Sequence, residues 1–306
     1  MTSINTNNAA MQALQTLRTV NSNLQTTQNA VSTGYRVNSA ADNAAYWAVA
    51  TTMRSDTGAL GAVSDALGLA TAKVDVATTA VQNTIDIVNQ IKAKLVSVNE
   101  HTTNAKDVQD EISQLQQQLQ SVSQSASFSG ENWVVASSGA TASVVSSFIR
   151  SATGGVSVTN TTYVFSSGSA GNVLFGSDSV GNISTSSGIL GSTTTIGGTA
   201  MSVFSLDVSN LTAGGLASAM NMVQSALDSM TSLGSKLGSL TQRITLQSDF
   251  ASSLTDALNS GIGKLVDADM EEESSKLTAL QTQQQLAVQS LSISNSSTQM
   301  ILSLFR

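Results

Sequence analysis

LGAVSDALGLATAKVDVATTAVQNTIDIVNQIKAKLVSV, residues 60–98, decides the fold of this chain. Positions 60, 67, 74, 81, 88 and 95 are Leu60, Leu67, Val74, Val81, Val88 and Leu95. The companion positions, offset by three, are Val63, Ala70, Ala77, Thr84, Ile91 and Val98. Only Thr84 is polar. Seven-residue spacing sustained over this length predicts a long helix wound against a partner. At 1.5 Å per residue it makes a rod of about 60 Å.

Working outward, the polar run Glu100 to Asn104 interrupts the pattern, and a stripe resumes at Val108, Ile112, Leu115, Leu119 and Val122. Two periodic segments with a short connection predict an antiparallel helical hairpin. Ser129-Gly130-Glu131-Asn132 is a turn signal that ends it. From Val134 to about Phe204 the chain changes character: Gly, Ser, Thr and Val dominate, and Arg150 and Asp178 are the only charges. Alternation at Val156-Ser157-Val158 and around Tyr163 reads as a small β-rich insert. Phe148, Tyr163, Phe165, Phe175 and Phe204 would supply its core. A Ser/Gly linker is the competing reading. Helical rhythm returns at Leu216 and runs to Leu265, with Leu233, Leu240 and Leu254 adding a second stripe. Gly234 and Gly238 within it read as a close-packing site or a joint.

The two extremities carry weaker seams. Leu14, Leu17, Leu24 and Val31 step by three and four, broken by Asn21 and Gln28. Leu277, Leu280, Ala287, Leu291 and Ile301 do the same, broken by Gln284, Ser294 and Thr298. A narrow apolar stripe on one helix needs a facing helix. The fold class expected is therefore mainly α: a long antiparallel bundle built from both chain ends, with a β-rich insert in mid-sequence. The expected division is a terminal coiled-coil domain (1–38 and 268–306), a helical rod with a small β-hairpin (39–133 and 212–267), and an exposed insert (134–211). Both termini would lie at one end of the rod and the insert at the other.

Composition narrows the chemistry. A net charge of −7 and a pI near 4.6 argue against nucleic acid as a partner. No apolar run reaches the roughly 18 residues of a membrane span. The N-terminus shows no basic segment followed by an apolar one, so no cleaved signal peptide is expected. There is no Cys and a single His, His101, which leaves a zinc site of the usual kind without ligands. No Pro occurs, where average usage is about 5%. Asp267, Asp269, Glu271, Glu272 and Glu273 read as favourable charge at a helix start. No nucleophile, nucleotide-loop or metallopeptidase motif is present, so catalytic, cofactor and metal sites are all expected to be absent.

Ser32-Thr33-Gly34-Tyr35-Arg36-Val37-Asn38-Ser39-Ala40-Ala41-Asp42-Asn43-Ala44-Ala45 resembles the N-terminal signature of bacterial flagellins, S-[ST]-G-x-[RK]-[IV]-N-x-A-x-D-[DN]-A-A. Asp267-Ala268-Asp269-Met270, with the three glutamates after it, is similar to the family's D-A-D-x-x-x-E block. Leu302-Ser303-Leu304-Phe305-Arg306 resembles its L-S-L-L-R end. Tyr46-Trp47 and Thr51 to Asp56 look most like flagellins of alphaproteobacteria.

The resemblance implies a structural subunit of the flagellar filament, outside the cell, and no enzyme. It implies a homopolymer, with sister flagellins as further candidates. Other implied partners are the flagellar type III export apparatus, a chaperone, the filament cap and the hook-associated proteins. A hook–filament junction protein and a secreted adhesin are the alternatives.

On this reading Leu14, Leu17, Leu24, Val31, Leu277, Leu280, Leu291, Ile301, Leu304 and Phe305 build the inner tube. Leu60, Val63, Leu67, Val74, Val81, Val88 and Leu95 hold the rod. Gly34, Arg36, Asn38 and Asp42 form a spoke between tube and rod. Gly34 would end the first helix, Ser39 and Asp42 would make a capping box for the next, and Arg36 would pair with Asp42.

Overall fold

The computed structural model describes residues 6–99, 104–151, 155–178 and 182–304. The chain is mainly helical: α1 (Asn8–Thr33), α2 (Ala44–Asn99), α3 (Ala105–Ser125), α4 (Ala213–Val266) and α5 (Met270–Leu304). Between α3 and α4 the described residues form eight strands. They are β1 (Ser127–Phe128), β2 (Glu131–Asn132), β3 (Thr141–Arg150), β4 (Val156–Val164), β5 (Gly176–Ser177), β6 (Ile183–Ser184), β7 (Thr194–Ile196) and β8 (Thr199–Met201). The chain forms two compact units, one of Met1–Gly58 with Thr255–Arg306 and one of Ala59–Leu254.

In the larger unit the heptad pattern of α2 becomes its buried face. Leu60, Val63, Leu67, Val74, Val81, Val88 and Leu95 are all buried, as are Ala70, Ala77 and Ile91. Thr84 is buried too, and its hydroxyl donates to the Ala80 carbonyl at 2.7 Å, so the polar break costs no unmet donor. α3 returns antiparallel to α2. Lys94 meets Glu111 at one end of the pair and Lys73 meets Glu131 at 2.9 Å toward the other. Leu216, Val223, Met230, Leu237 and Ile244 of α4 join the same core.

The middle of the sequence is ordered β structure rather than a linker. β1 and β2 close through Ser129 (φ 52°) and Gly130 (φ 83°). Positive φ at both central positions is the turn whose twist matches paired strands. β7 and β8 close in the same way through Gly197-Gly198. β3 and β4 form the longest ladder, with a register shift between Val145 and Ser147. Val134, Val173, Leu174, Phe175, Leu190 and Leu206 are buried in one cluster with the helices. The aromatic residues meet in two groups. Trp133 stacks on Tyr163 at 5.6 Å and meets Phe165 edge-on, and Phe175 meets Phe204 edge-on.

Two side chains of α3 hold irregular backbone in place. Gln116 Nε2 donates to the carbonyls of Val203 (3.1 Å) and Leu206 (3.0 Å). Gln109 accepts from Val208 N and donates to Leu206 O. At the other end of α3, Asn132 Nδ2 donates to the Ser123 carbonyl at 2.7 Å, while its Oδ1 accepts from Val134 N and Val135 N. Gln116, next to Leu115 of the expected stripe, is thus a buried clamp.

One expectation about α4 fails. The helix runs unbroken through Gly234 and Gly238. A Cβ at either would meet nothing within 4 Å, so neither marks a close approach within the chain.

Candidate functional site

In the smaller unit α1 packs against α5. Asn7 caps α1, its Oδ1 accepting from Ala10 N at 3.0 Å, while its Nδ2 donates to the Ser294 carbonyl of α5 at 3.0 Å. On α1 the buried positions are Val20, Thr27 and Ala30, flanked by half-buried Leu17, Leu24 and Val31. On α5 they are Leu280 and Ala287, flanked by half-buried Leu277, Gln284 and Leu291. The side chain of Thr298 lies outside the described residues, and from Leu277 to Ser294 the α5 seam has the phase read from sequence. The α1 seam does not. Asn21 and Gln28 are exposed rather than in the seam, and Leu14 is exposed with them. The pairing face runs through Leu17, Val20, Leu24, Thr27 and Val31 instead. Both phases step by three and four, and the partner helix selects the one that places small residues where the backbones approach.

The remaining surface of the pair is unusually apolar. Met11, Leu286, Val288, Ile293 and Met300 are all exposed. A shallow groove of about 310 Å³ lies between the helices, lined by Ala13, Thr16, Val20, Leu286 and Ala287. Leu304 lies in α5, but its side chain and that of Ile301 are outside the described residues, as is Phe305 entirely.

The connector from Gly34 to Asn43 is built by backbone hydrogen bonds. Gly34 takes φ 74° and its N–H closes on the Ala30 carbonyl at 2.8 Å, which ends α1. The Gly34 carbonyl then accepts from Ala268 N at 2.9 Å. Arg36 N and Val37 N both donate to the Val266 carbonyl, and Tyr35 bridges antiparallel to Asp267. Val37, Ala50, Ile262 and Val266 form a small buried cluster beneath this crossing.

Two expectations for the connector are corrected. Arg36 does not pair with Asp42: its Nη2 donates to the Leu265 carbonyl at 3.1 Å. Asp42 instead accepts from Asn38 N (3.1 Å), Ser39 N (2.9 Å) and Ser39 Oγ (3.0 Å). These bonds, led by that of the Ser39 N–H, hold the Asp42 carboxyl below its ordinary pKa. Ser39 and Asp42 therefore close a turn and do not cap α2. The cap is Asn43, whose Oδ1 accepts from Tyr46 N at 3.1 Å. Its short side chain was masked in the sequence by the adjacent aspartate. Asp269 caps α5, accepting from Glu271 N and Glu272 N, so the acidic run sits in the first helical turn.

Among the described residues no three His, Cys, Asp or Glu side chains gather as metal ligands, and no helix is long and apolar enough to cross a membrane. His101 lies outside the described residues. What the geometry offers is surface: a thin helix pair with apolar flanks, a hydrogen-bonded connector, and, in the larger unit, a well-filled core.

Comparison with known proteins gives this geometry its context. Residues 4–138 match the model for the bacterial flagellin N-terminal helical region, and residues 220–305 match that for the bacterial flagellin C-terminal helical region. Flagellin C of Rhizobium meliloti (strain 1021) is 45% identical over 324 aligned residues that cover the whole of both chains. Flagellin B of Rhizobium meliloti is 42% identical over 395, again covering 100% of each. A flagellin of Brucella melitensis biotype 1 is 40% identical over 309, with the same full coverage.

Proposed function

The chain belongs to the bacterial flagellin family, the extracellular filament subunits of the flagellum, and from that premise we propose how its surfaces divide the work of assembly. The protein is structural and not an enzyme, and it polymerises with other flagellin subunits. Residues 1–38 with 268–306 form the inner tube, 39–133 with 212–267 the rod, and 134–211 an outward-facing insert. Leu14, Leu17, Leu24, Val31, Leu277, Leu280, Leu291, Ile301, Leu304 and Phe305 make the tube contacts. Gly34, Arg36, Asn38 and Asp42 fix the spoke.

The observation that carries this reading is the α1–α5 pair. Its buried seam is narrow, whereas Met11, Leu14, Leu286, Val288, Ile293 and Met300 face solvent. Large apolar side chains on an extracellular surface mark a contact. A two-helix seam of this size gives little stability by itself. Packing by neighbouring subunits supplies the rest, so ordering of the termini and elongation become one event. The contact joins two different surfaces, and with a rotation that does not close on itself it generates an open helix.

Family membership supports the remaining partners: the type III export apparatus and a chaperone before assembly, the cap and hook-associated proteins during it, and sister flagellins within it. On the same ground the chain leaves the cell without a cleaved signal peptide.

The test is seeded growth of purified protein followed by electron microscopy. Long filaments are expected from the full chain and from a variant lacking residues 141–200. Termini that are fully protease-resistant in a dilute monomer would overturn the coupling of order to assembly.

A further inference from the structure

Two exposed faces carry complementary chemistry. The first is an aromatic edge. Trp47 and Arg54 are seven positions apart on α2, hence two turns along one side. The Arg54 guanidinium lies 5.1 Å above the Tyr35 ring, which brings that ring to the same edge. Tyr35 is 38% exposed, Trp47 37% and neighbouring Tyr46 43%. In a chain with three Tyr and two Trp, this places most of them in one exposed stretch. Trp, Tyr and Arg are the residues that dominate binding energy at protein interfaces. The cation–π contact holds Arg54 in place, so little side-chain entropy remains to be lost on docking.

The second face is on α4. Leu246 and Phe250 are 62% and 60% exposed. With Asp249, also exposed, they occupy positions i, i+4 and i+3 of one helical face. Arg243, one turn earlier, lines the cavity beneath the β3–β4 ladder together with Val144 and Thr161. The face thus offers two large apolar side chains and a carboxylate to a partner.

We propose that the Leu246–Asp249–Phe250 face of one subunit docks on the Tyr35–Trp47–Arg54 edge of a second copy of this chain, with Asp249 paired to Arg54. This rests on the filament reading and adds a specific contact to it. The occupant is another copy because the two faces match: exposed apolar area on both sides, a cation on one and an anion on the other. Because the faces are different, each copy keeps one of each free after docking, as an open polymer requires. A pairing of like faces would set Arg54 against Arg54 and Asp249 against Asp249.

The test is seeded elongation of full-length protein carrying Arg54→Glu, Asp249→Arg or both. Both positions are exposed, and unchanged circular dichroism and melting of the monomers verify the fold. Each single variant is expected to elongate at least about tenfold more slowly, and the charge-swapped double variant to recover most of the loss. Single variants that elongate like the parent, or a double variant as defective as the singles, overturn the pairing. If the parent itself fails to grow filaments, the filament reading is what has failed. A second measurement uses the absence of cysteine. The double substitution Trp47→Cys with Phe250→Cys is expected to give, on oxidation of filaments, a ladder of covalent multimers that dilute monomers do not give. A product that stops at dimers overturns the head-to-tail contact.

Discussion

Gln284 Nε2 donates to Asn21 Oδ1 at 2.7 Å, joining α5 to α1 across 263 positions of sequence. The bond lies beside the buried seam rather than in it, since Asn21 is exposed and Val20 occupies the seam. Its effect is on alignment: only one axial offset of the two helices satisfies both amides. A double-mutant cycle with Asn21→Ala and Gln284→Ala is expected to give a coupling of about 0.5–1 kcal/mol in the hydrogen-exchange stability of the terminal pair. Zero coupling would assign the alignment to Leu24, Thr27 and Ala287 alone.

Two glycine substitutions are expected to act with opposite signs. Gly34 sits at φ 74°, so Gly34→Ala forces a side chain into the left-handed region and costs about 1 kcal/mol. Gly238 is helical with open space around it, so Gly238→Ala removes backbone freedom from the unfolded chain and gains about 1 kcal/mol. Chemical denaturation of the monomer measures the second, and hydrogen exchange of the α1 C-terminus in filaments measures the first.

Gln116→Leu keeps the apolar bulk of the side chain but leaves the carbonyls of Val203 and Leu206 without its amide. A loss of about 2 kcal/mol is expected, with limited proteolysis near 203–208 as the local readout. An unchanged denaturation midpoint and cleavage pattern would show that the clamp is dispensable.

Acid acts on the connector. The Asp42 carboxyl, held by Ser39 and Asn38, titrates below its unfolded value. Glu131, held chiefly by Lys73, and Asp207, held by Ser209, shift the same way. A folded pKa below the unfolded one means that the stabilisation is complete above about pH 4–4.5 and is lost as the pH falls through the folded values. Melting temperatures are therefore expected to be flat near neutrality and to drop in acid, and Asp42→Ala to drop less than the parent. A parent that is equally stable at about pH 3 and about pH 7 would count against this.

Much of this architecture was legible in the residues. The α2 seam was readable because every seventh position is a large aliphatic, and Leu60 to Leu95 are indeed buried. The α5 seam was readable from Leu277 to Leu291 because its leucines keep the three-and-four spacing across the polar breaks. The α1 seam was not, because Ala13, Thr27 and Ala30 are too small or too polar to outvote Leu14 in a pattern, and only the facing helix breaks the tie. Gln109 and Gln116 carried no signal, because each sits beside a stripe residue, Val108 or Leu115, and the carbonyls they serve lie about 90 positions away in sequence. Asn43 was hidden behind Asp42, since either is a good cap and the choice depends on which side chain the upstream turn engages. The exposed Leu246 and Phe250 carry no sequence signal at all: a leucine facing water is spelled like one facing a core.

The segment between Asn132 and Val208 is fastened at both ends to the same helix, by Asn132 on Ser123 and by Gln109 and Gln116 on residues 203–208. Neither fastening depends on the length of chain between them. An epitope or enzyme grafted at an outlying turn of that segment, such as Gly197-Gly198, would be carried as cargo while the α3 scaffold under it stays in register.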